Sequence, residues 1–113
     1  MAVAPRSSIA RGQVHLVRLD PTLGREIRKT RPCVIVSPDE LNEHLRTVIV
    51  APMTTSGTAY PWRPRCRFHG RVGFVALDQL RTVDAQRLLK TLGRLDSATV
   101  DGVLDRLQEM FAK

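Results

Sequence analysis

The stretch "GREIRKTRPCVIVSP", residues 24–38, changes character half-way along. Cys33, Val34, Ile35 and Val36 form a short, continuous apolar run, the pattern of a strand covered on both faces. To their left Arg25, Arg28, Lys29 and Arg31 surround a single acid, Glu26. A buried strand therefore begins where a cluster of cations ends. The strand reads as 31–37. "SPDELNEHL" (37–45) follows, with Ser37 as a cap, Pro38 at the first helical position and acids behind it, which makes one or two helical turns. "RTVIVAP" (46–52) is a second buried strand.

Outward from this pair the pattern stays that of strands. "QVHLVRL" (13–19) alternates imperfectly, as a half-buried strand does, and "DPTLG" (20–24) is a turn broken by Pro21 and Gly24. In "WRPRCRF" (62–68) Trp62, Pro64, Cys66 and Phe68 share one face, and Arg63, Arg65 and Arg67 the other. Pro64 has no N–H for a ladder, which places that strand at an edge or beside a bulge. "HGR" (69–71) turns into the strand "VGFVAL" (72–77). "AQRLLKTLGRL" (85–95) is read as a strand because Gly93 interrupts it. In "DSATVDGVLDRLQEMF" (96–111) Val100, Val103, Leu104, Leu107, Met110 and Phe111 recur every three or four residues, one apolar stripe on a helix capped by Asp96 or Ser97. Five or six short strands and a terminal helix predict a mainly β fold, a small, partly open antiparallel barrel with the helix over one opening or face.

The whole chain sets limits. Its 113 residues suit one domain, read as 11–113 behind a flexible tail at 1–10, and an apolar share of 42% is ordinary for a globular protein, so disorder is not the default reading. No apolar run approaches the roughly 18–20 residues a membrane span needs. Cys33 and Cys66 form no CxxC pair and fall in strand patterns, which points to buried free thiols in a reducing cytoplasm. Eighteen Lys and Arg face eleven Asp and Glu, net +7, and fifteen of the cations are Arg. Residues 96–113 hold four acids and two bases, which leaves +9 on the rest. The Arg fork matches phosphate, so the bias suggests a polyanion or an acidic protein partner.

Several chemistries are excluded by motif. His15, His44 and His69 lack ligand spacing, so no metal site is expected. No Walker loop or GxGxxG calls for a cofactor, and no nucleophile is marked beside a histidine. What remains is charge, hydroxyls and carboxylates at four places: Glu26 to Arg31, Thr54-Thr55-Ser56, Leu77-Asp78-Gln79, and Arg87. These types suit RNA cleavage by the ribose 2′-OH. A protein must there orient the phosphate, neutralise the phosphorane and move two protons. Bland readings stand beside this one. Arg31 paired with Glu26 at the surface would be worth about 0–1 kcal/mol. A Thr-Thr-Ser run commonly just closes a turn.

"RGQVHLVRLDPTLGREIRKTRPCVIVSPD", "VIVAPMTTSGTAYPWRP" and "GFVALDQLRTVD", in this order, resemble the MazF/PemK-type endoribonuclease toxins of bacterial toxin–antitoxin systems. The resemblance runs from Gly12 to the terminal helix. It implies an SH3-like barrel, a homodimer, and metal-independent cleavage of single-stranded RNA to a 2′,3′-cyclic phosphate and a 5′-OH. It also implies a cognate MazE-like antitoxin with an acidic tail. Arg31 matches the family's catalytic arginine, Thr54 its catalytic threonine, and Glu26 a glutamate near the scissile phosphate. Asp78 matches the base of the Kid-like branch. That branch has an arginine two positions earlier, where this chain has Ala76, so Arg31 with Thr54 is the expected pair. Arg28, Lys29, Thr55, Ser56, Asp78, Gln79 and Arg87 are the expected RNA contacts. The competing readings are a non-catalytic barrel that poisons a protein such as gyrase, and a plain RNA-binding module.

Overall fold

The sheet is organised around its longest strand. In the computed structural model, which describes residues 9–58 and 60–113, β3 (Thr47–Thr54) has neighbours on both edges. On one side β2 (Thr30–Ile35) runs antiparallel to it, with Cys33 opposite Pro52 and Ile35 opposite Val50. The other edge is shared end to end. β6 (Arg81–Asp84) pairs with residues 47–50, and β5 (Arg71–Val75) pairs with Met53 and Thr54. Pro52 lies where the partner changes, and its carbonyl accepts from the Ala76 N–H at 2.8 Å. The chain crosses between the two partners through a single 3-10 turn, Leu77–Gln79.

The remaining strands extend this frame. β1 (Gln13–Arg18) pairs with β2, β7 (Leu88–Arg94) with β1, and β4 (Arg65–Phe68) with β5, giving the order β4-β5-β3-β2-β1-β7. The two ends of that order curl towards each other. Phe68 and His69 are stacked at 3.9 Å and come within 3.3 Å of where Gly93 would carry a side chain. Gly93 has a φ of 146°, so both its backbone and its missing Cβ serve this closure. The result is the mainly β, partly open barrel that the sequence predicts, with α1 (Asp39–His44) between strands and α2 (Ser97–Phe111) at the end.

Alternation distributes the core over both faces of the sheet. Cys33, Ile35, Val48 and Val50 join Val17, Leu19, Val83 and Leu88 on one side. Val34, Val36, Ala51 and Met53 join Val75, Leu77, Leu95 and Val103 on the other, beneath α2. That is why residues 33–36 are continuously apolar: neither face meets water. Asp96 caps α2, its carboxylate accepting from the Thr99 N–H at 2.7 Å.

Some expectations shift. The described residues form seven strands, one more than the pattern predicts, because the four residues of β6 carry too little apolar pattern to be seen beforehand. The strand expected over 62–68 is confined to 65–68 at the sheet's edge, and Trp62 to Pro64 form the approach to it. Ser37 does not cap α1. Its hydroxyl instead donates to Asn42 Oδ1 and accepts from the Ile49 N–H, tying α1 to β3. Phe111 ends the α2 stripe exposed. Residues 1–8 of the expected tail lie outside the described residues, and Ile9 is buried in the core.

An imidazole is enclosed in the sheet. His15 is fully buried, with Nε2 2.9 Å from Gln13 Oε1 and Nδ1 3.4 Å from Thr91 Oγ1. Burial disfavours the imidazolium and holds the His15 pKa below its ordinary 6.5. The unfolded chain thus binds a proton that the folded chain resists. Stability should be level above the ordinary value and fall as the pH drops below it, by at most about 1.4 kcal/mol per pH unit. Urea denaturation between pH 8 and 5 should show this slope below about 6.5 in the natural protein and not in His15→Leu.

Candidate active site

The register of β2 on β3, carried two residues past Cys33 and Pro52, sets Arg31 across from Thr54. Both line one open hollow of about 260 Å³, together with Thr55 and Arg71 and an apolar floor of Pro32, Met53, Cys66 and Phe68. Arg31 Nε donates to the Arg28 carbonyl at 3.1 Å, which steadies the guanidinium. Its terminal nitrogens hold no hydrogen bond among the described residues. Thr54 is 8% exposed. Its hydroxyl lies 3.0 Å from Ser56 Oγ and accepts from the Ser56 N–H at 3.2 Å, so the Thr-Thr-Ser run closes a turn and presents an oriented hydroxyl at once. Burial pushes the Cys66 thiol up, so this sulfur is neutral wall material, and Cys33, buried in the core on the other face of the sheet, is pushed up to about 12.

Gly73 is what lets this wall close. A Cβ there would stand 2.7 Å from the Thr54 carbonyl oxygen, well inside contact distance. Only a glycine on β5 allows β3 to come so near at Thr54.

Glu26, Asp78 and Gln79 belong to a second hollow of about 340 Å³, which they line with Ile27, Pro52 and Arg81. Neighbours on β3, Pro52 and Met53, line one hollow each. Glu26 is exposed and its carboxylate accepts from the Leu23 N–H. Asp78 is gripped by both arms of Arg63, each at 2.8 Å. The hydrogen bonds from Arg63 hold the Asp78 carboxyl below the usual carboxylate range, which makes it a poor proton acceptor. Gln79 Oε1 accepts from the Ile27 N–H at 3.1 Å. Arg87 donates to the carbonyls of Arg18 and Asp20 at 2.9 and 2.7 Å, and so holds backbone. Arg28 and Lys29 are exposed beside Arg31, and Lys29 has a φ of 70°.

The structure thus brings Arg31, Thr54 and Thr55 together with Ser56 at the rim, and gathers Glu26, Asp78 and Gln79 nearby. Three positions that line these hollows were not singled out from the sequence. Arg71 stands in what reads as a turn yet supplies the hollow's second guanidinium, and its one signal was a cation directly after His69-Gly70. Gly73 is one glycine in an apolar strand, and Arg81 lies on the strand that pattern did not reveal. Among the described residues no three of His, Cys, Asp and Glu converge as a metal site would require, and no helix is long and apolar enough to cross a membrane.

Residues 10–111 match the family described as PemK-like, MazF-like toxin of type II toxin–antitoxin systems. The chain belongs to this family. It is similar to the endoribonuclease PemK of Escherichia coli, 37% identical over 96% of this chain and 86% of the relative. Its fold is that of MazF from Deinococcus radiodurans, with a TM-score of 0.81, 22% identity, and coverage of 93% of this chain and 97% of that one. A mycobacterial endoribonuclease solved with its cognate antitoxin superposes with a TM-score of 0.76 at 24% identity, covering 90% of this chain and 93% of that one.

In this PemK/MazF-type toxin Gly73 and Gly102 should respond to substitution in opposite ways. Gly73→Ala should cost about 1–3 kcal/mol in urea denaturation, because β5 and Thr54 must move apart. Gly102, inside α2 with open space around it, should gain about 1 kcal/mol as Gly102→Ala.

Proposed function

We propose that this toxin is an endoribonuclease that cuts single-stranded RNA at short preferred sequences. The single observation that carries the reading is that the Arg31 guanidinium and the Thr54 hydroxyl share one hollow. A phosphate set there meets a cation whose terminal N–H groups are unspent and a hydroxyl already oriented. The ribose 2′-oxygen loses its proton and attacks phosphorus, and the 5′-oxygen leaves and takes a proton from water, giving a 2′,3′-cyclic phosphate and a 5′-OH. Charge grows on the non-bridging oxygens as the phosphorane forms, and donors placed around them lower the barrier. Arg31 acts by charge. Asp78 is committed to Arg63, so Glu26, exposed and among the described residues bonded to one backbone N–H, is the carboxylate we assign to take the 2′-OH proton. Arg71, Arg28 and Lys29 follow the phosphates, and Thr55 and Ser56 the nucleotide beside the cut. None of these steps asks for a metal.

The partners follow from the same surface. The family is one of toxins paired with antitoxins, and +9 on residues 1–95 suits the acidic tail of a cognate MazE-like antitoxin. A homodimer is the assembly we propose. The cytoplasm, where RNA is the substrate and buried Cys33 and Cys66 stay reduced, is its place of action. A gyrase-directed inhibitor or a plain RNA binder would need no convergence of Arg31 and Thr54, and the relative named above is an endoribonuclease.

The test is direct. Incubated with single-stranded RNA in EDTA, the protein should yield cyclic-phosphate ends. Arg31→Ala and Thr54→Val should each lower the rate about 10²-fold or more while the unfolding midpoint stays within a few degrees. RNA left whole by the natural protein, or full activity in Arg31→Ala, would refute the assignment.

A further inference from the structure

Asp78 and Gln79 are adjacent on the 3-10 turn, yet each is bound to a different neighbour. Asp78 takes both arms of Arg63 at 2.8 Å, in a pair whose side chains are only 26% and 31% exposed. Arg63 is itself fixed on the approach to β4. Its N–H donates to the Tyr60 carbonyl at 2.8 Å and its guanidinium carbon stands 6.0 Å from the Tyr60 ring. Gln79, one residue on, accepts the Ile27 N–H at 3.1 Å. Ile27 directly follows Glu26, and residues 60–64 follow the segment that carries Thr54, Thr55 and Ser56.

We propose that Arg63, Asp78 and Gln79 form a strap that sets the spacing between these two segments, with Arg63 and Gln79 as positioning residues for sequence selection. The inference rests on the nuclease reading above. If one segment holds the scissile phosphate and the other carries Glu26 and the cations beside it, an RNA word is accepted only when it fits both at a set distance. The charged residue Asp78 is then used to hold geometry. The fork matters here: a bidentate guanidinium–carboxylate pair fixes orientation as well as separation, which a lysine in place of Arg63 would not do. Because the strap passes through a turn of three residues, loosening one end frees the other.

Two measurements on the full chain decide this. In hydrogen exchange, Arg63→Ala should speed the Ile27 amide about tenfold, although Arg63 does not touch it, while β1 and β2 amides stay protected. Asp78→Asn should do the same, and the double variant should be no faster than either alone. In cleavage of a mixed RNA pool, Arg63→Ala should narrow the preference between the best and second-best words about tenfold, with a smaller fall in rate at the best word. Arg63→Lys should fall between. An unchanged Ile27 amide overturns the strap, and so does a uniform rise at every amide, which would mean general destabilisation. Faster exchange with an unaltered word preference overturns its part in selection. RNA left uncut by the natural protein defeats the nuclease reading instead, and the exchange result still judges the strap.

Discussion

Everything at the site hangs on β2 lying against β3 with Cys33 opposite Pro52. Register in a sheet with both faces buried is strongly specified, because a slip of one residue would exchange Cys33 and Ile35 for Val34 and Val36 on opposite faces. Those faces pack against different clusters, one beneath α2 and one away from it. The core therefore dictates which residues meet just beyond it. Arg31 and Thr54 lie two positions outside that paired segment, near enough to inherit its precision and far enough to reach water. A guanidinium placed deeper would need a buried partner; one placed farther out would not be held.

The other arginines show where much of the apparent basicity goes. Arg81 donates to the Leu19 carbonyl, Arg87 to those of Arg18 and Asp20, Arg94 to that of Arg11, and Arg11 to that of Val36. Residues 19–29 run outside the ladders, and their backbone groups must still find partners. A fork of donors on a long arm supplies them from across the fold. Gln79 performs the same service for the Ile27 N–H, so β6 and its two flanking turns hold this loop near both ends. Arg87 and Gln79, expected from sequence as RNA contacts, stand in this structural role.

What was legible in the sequence was whatever rested on local pattern. The apolar runs at 33–36 and 48–51 and the stripe of α2 are signals of burial, and each element stands where its pattern placed it. Thr54 and Arg31 could be singled out because they flank those runs. The strand β6 was not legible: of its four residues only Val83 enters the core, and its role is to reach across with Arg81. Nor was the partnership of Arg63 with Asp78, fifteen positions apart, which exists only because the chain passes from β5 to β6 along one edge of β3 through the Leu77–Gln79 turn. The alternation of Arg63, Arg65 and Arg67 implied one wet face, but a strand that starts at Arg65 frees Arg63 to turn elsewhere. Distant pairing leaves no periodic trace.

The charges that stay unpaired say most about the site. Among the described residues there are two ion pairs, Arg63–Asp78 and Arg106–Glu109, and neither lines the first hollow. Arg31 and Arg71 face a common space of about 260 Å³ that no acid lines. Two cations held so cost folding energy through mutual repulsion, a cost that functional sites commonly carry. On the proposed reading a phosphodiester in the hollow would relieve that repulsion, and most when its own charge is greatest, as the phosphorane forms. A carboxylate on an acidic chain would relieve it too, without ever reaching that state. One arrangement of charge thus suits both a substrate that reacts and a protein tail that only occupies the place.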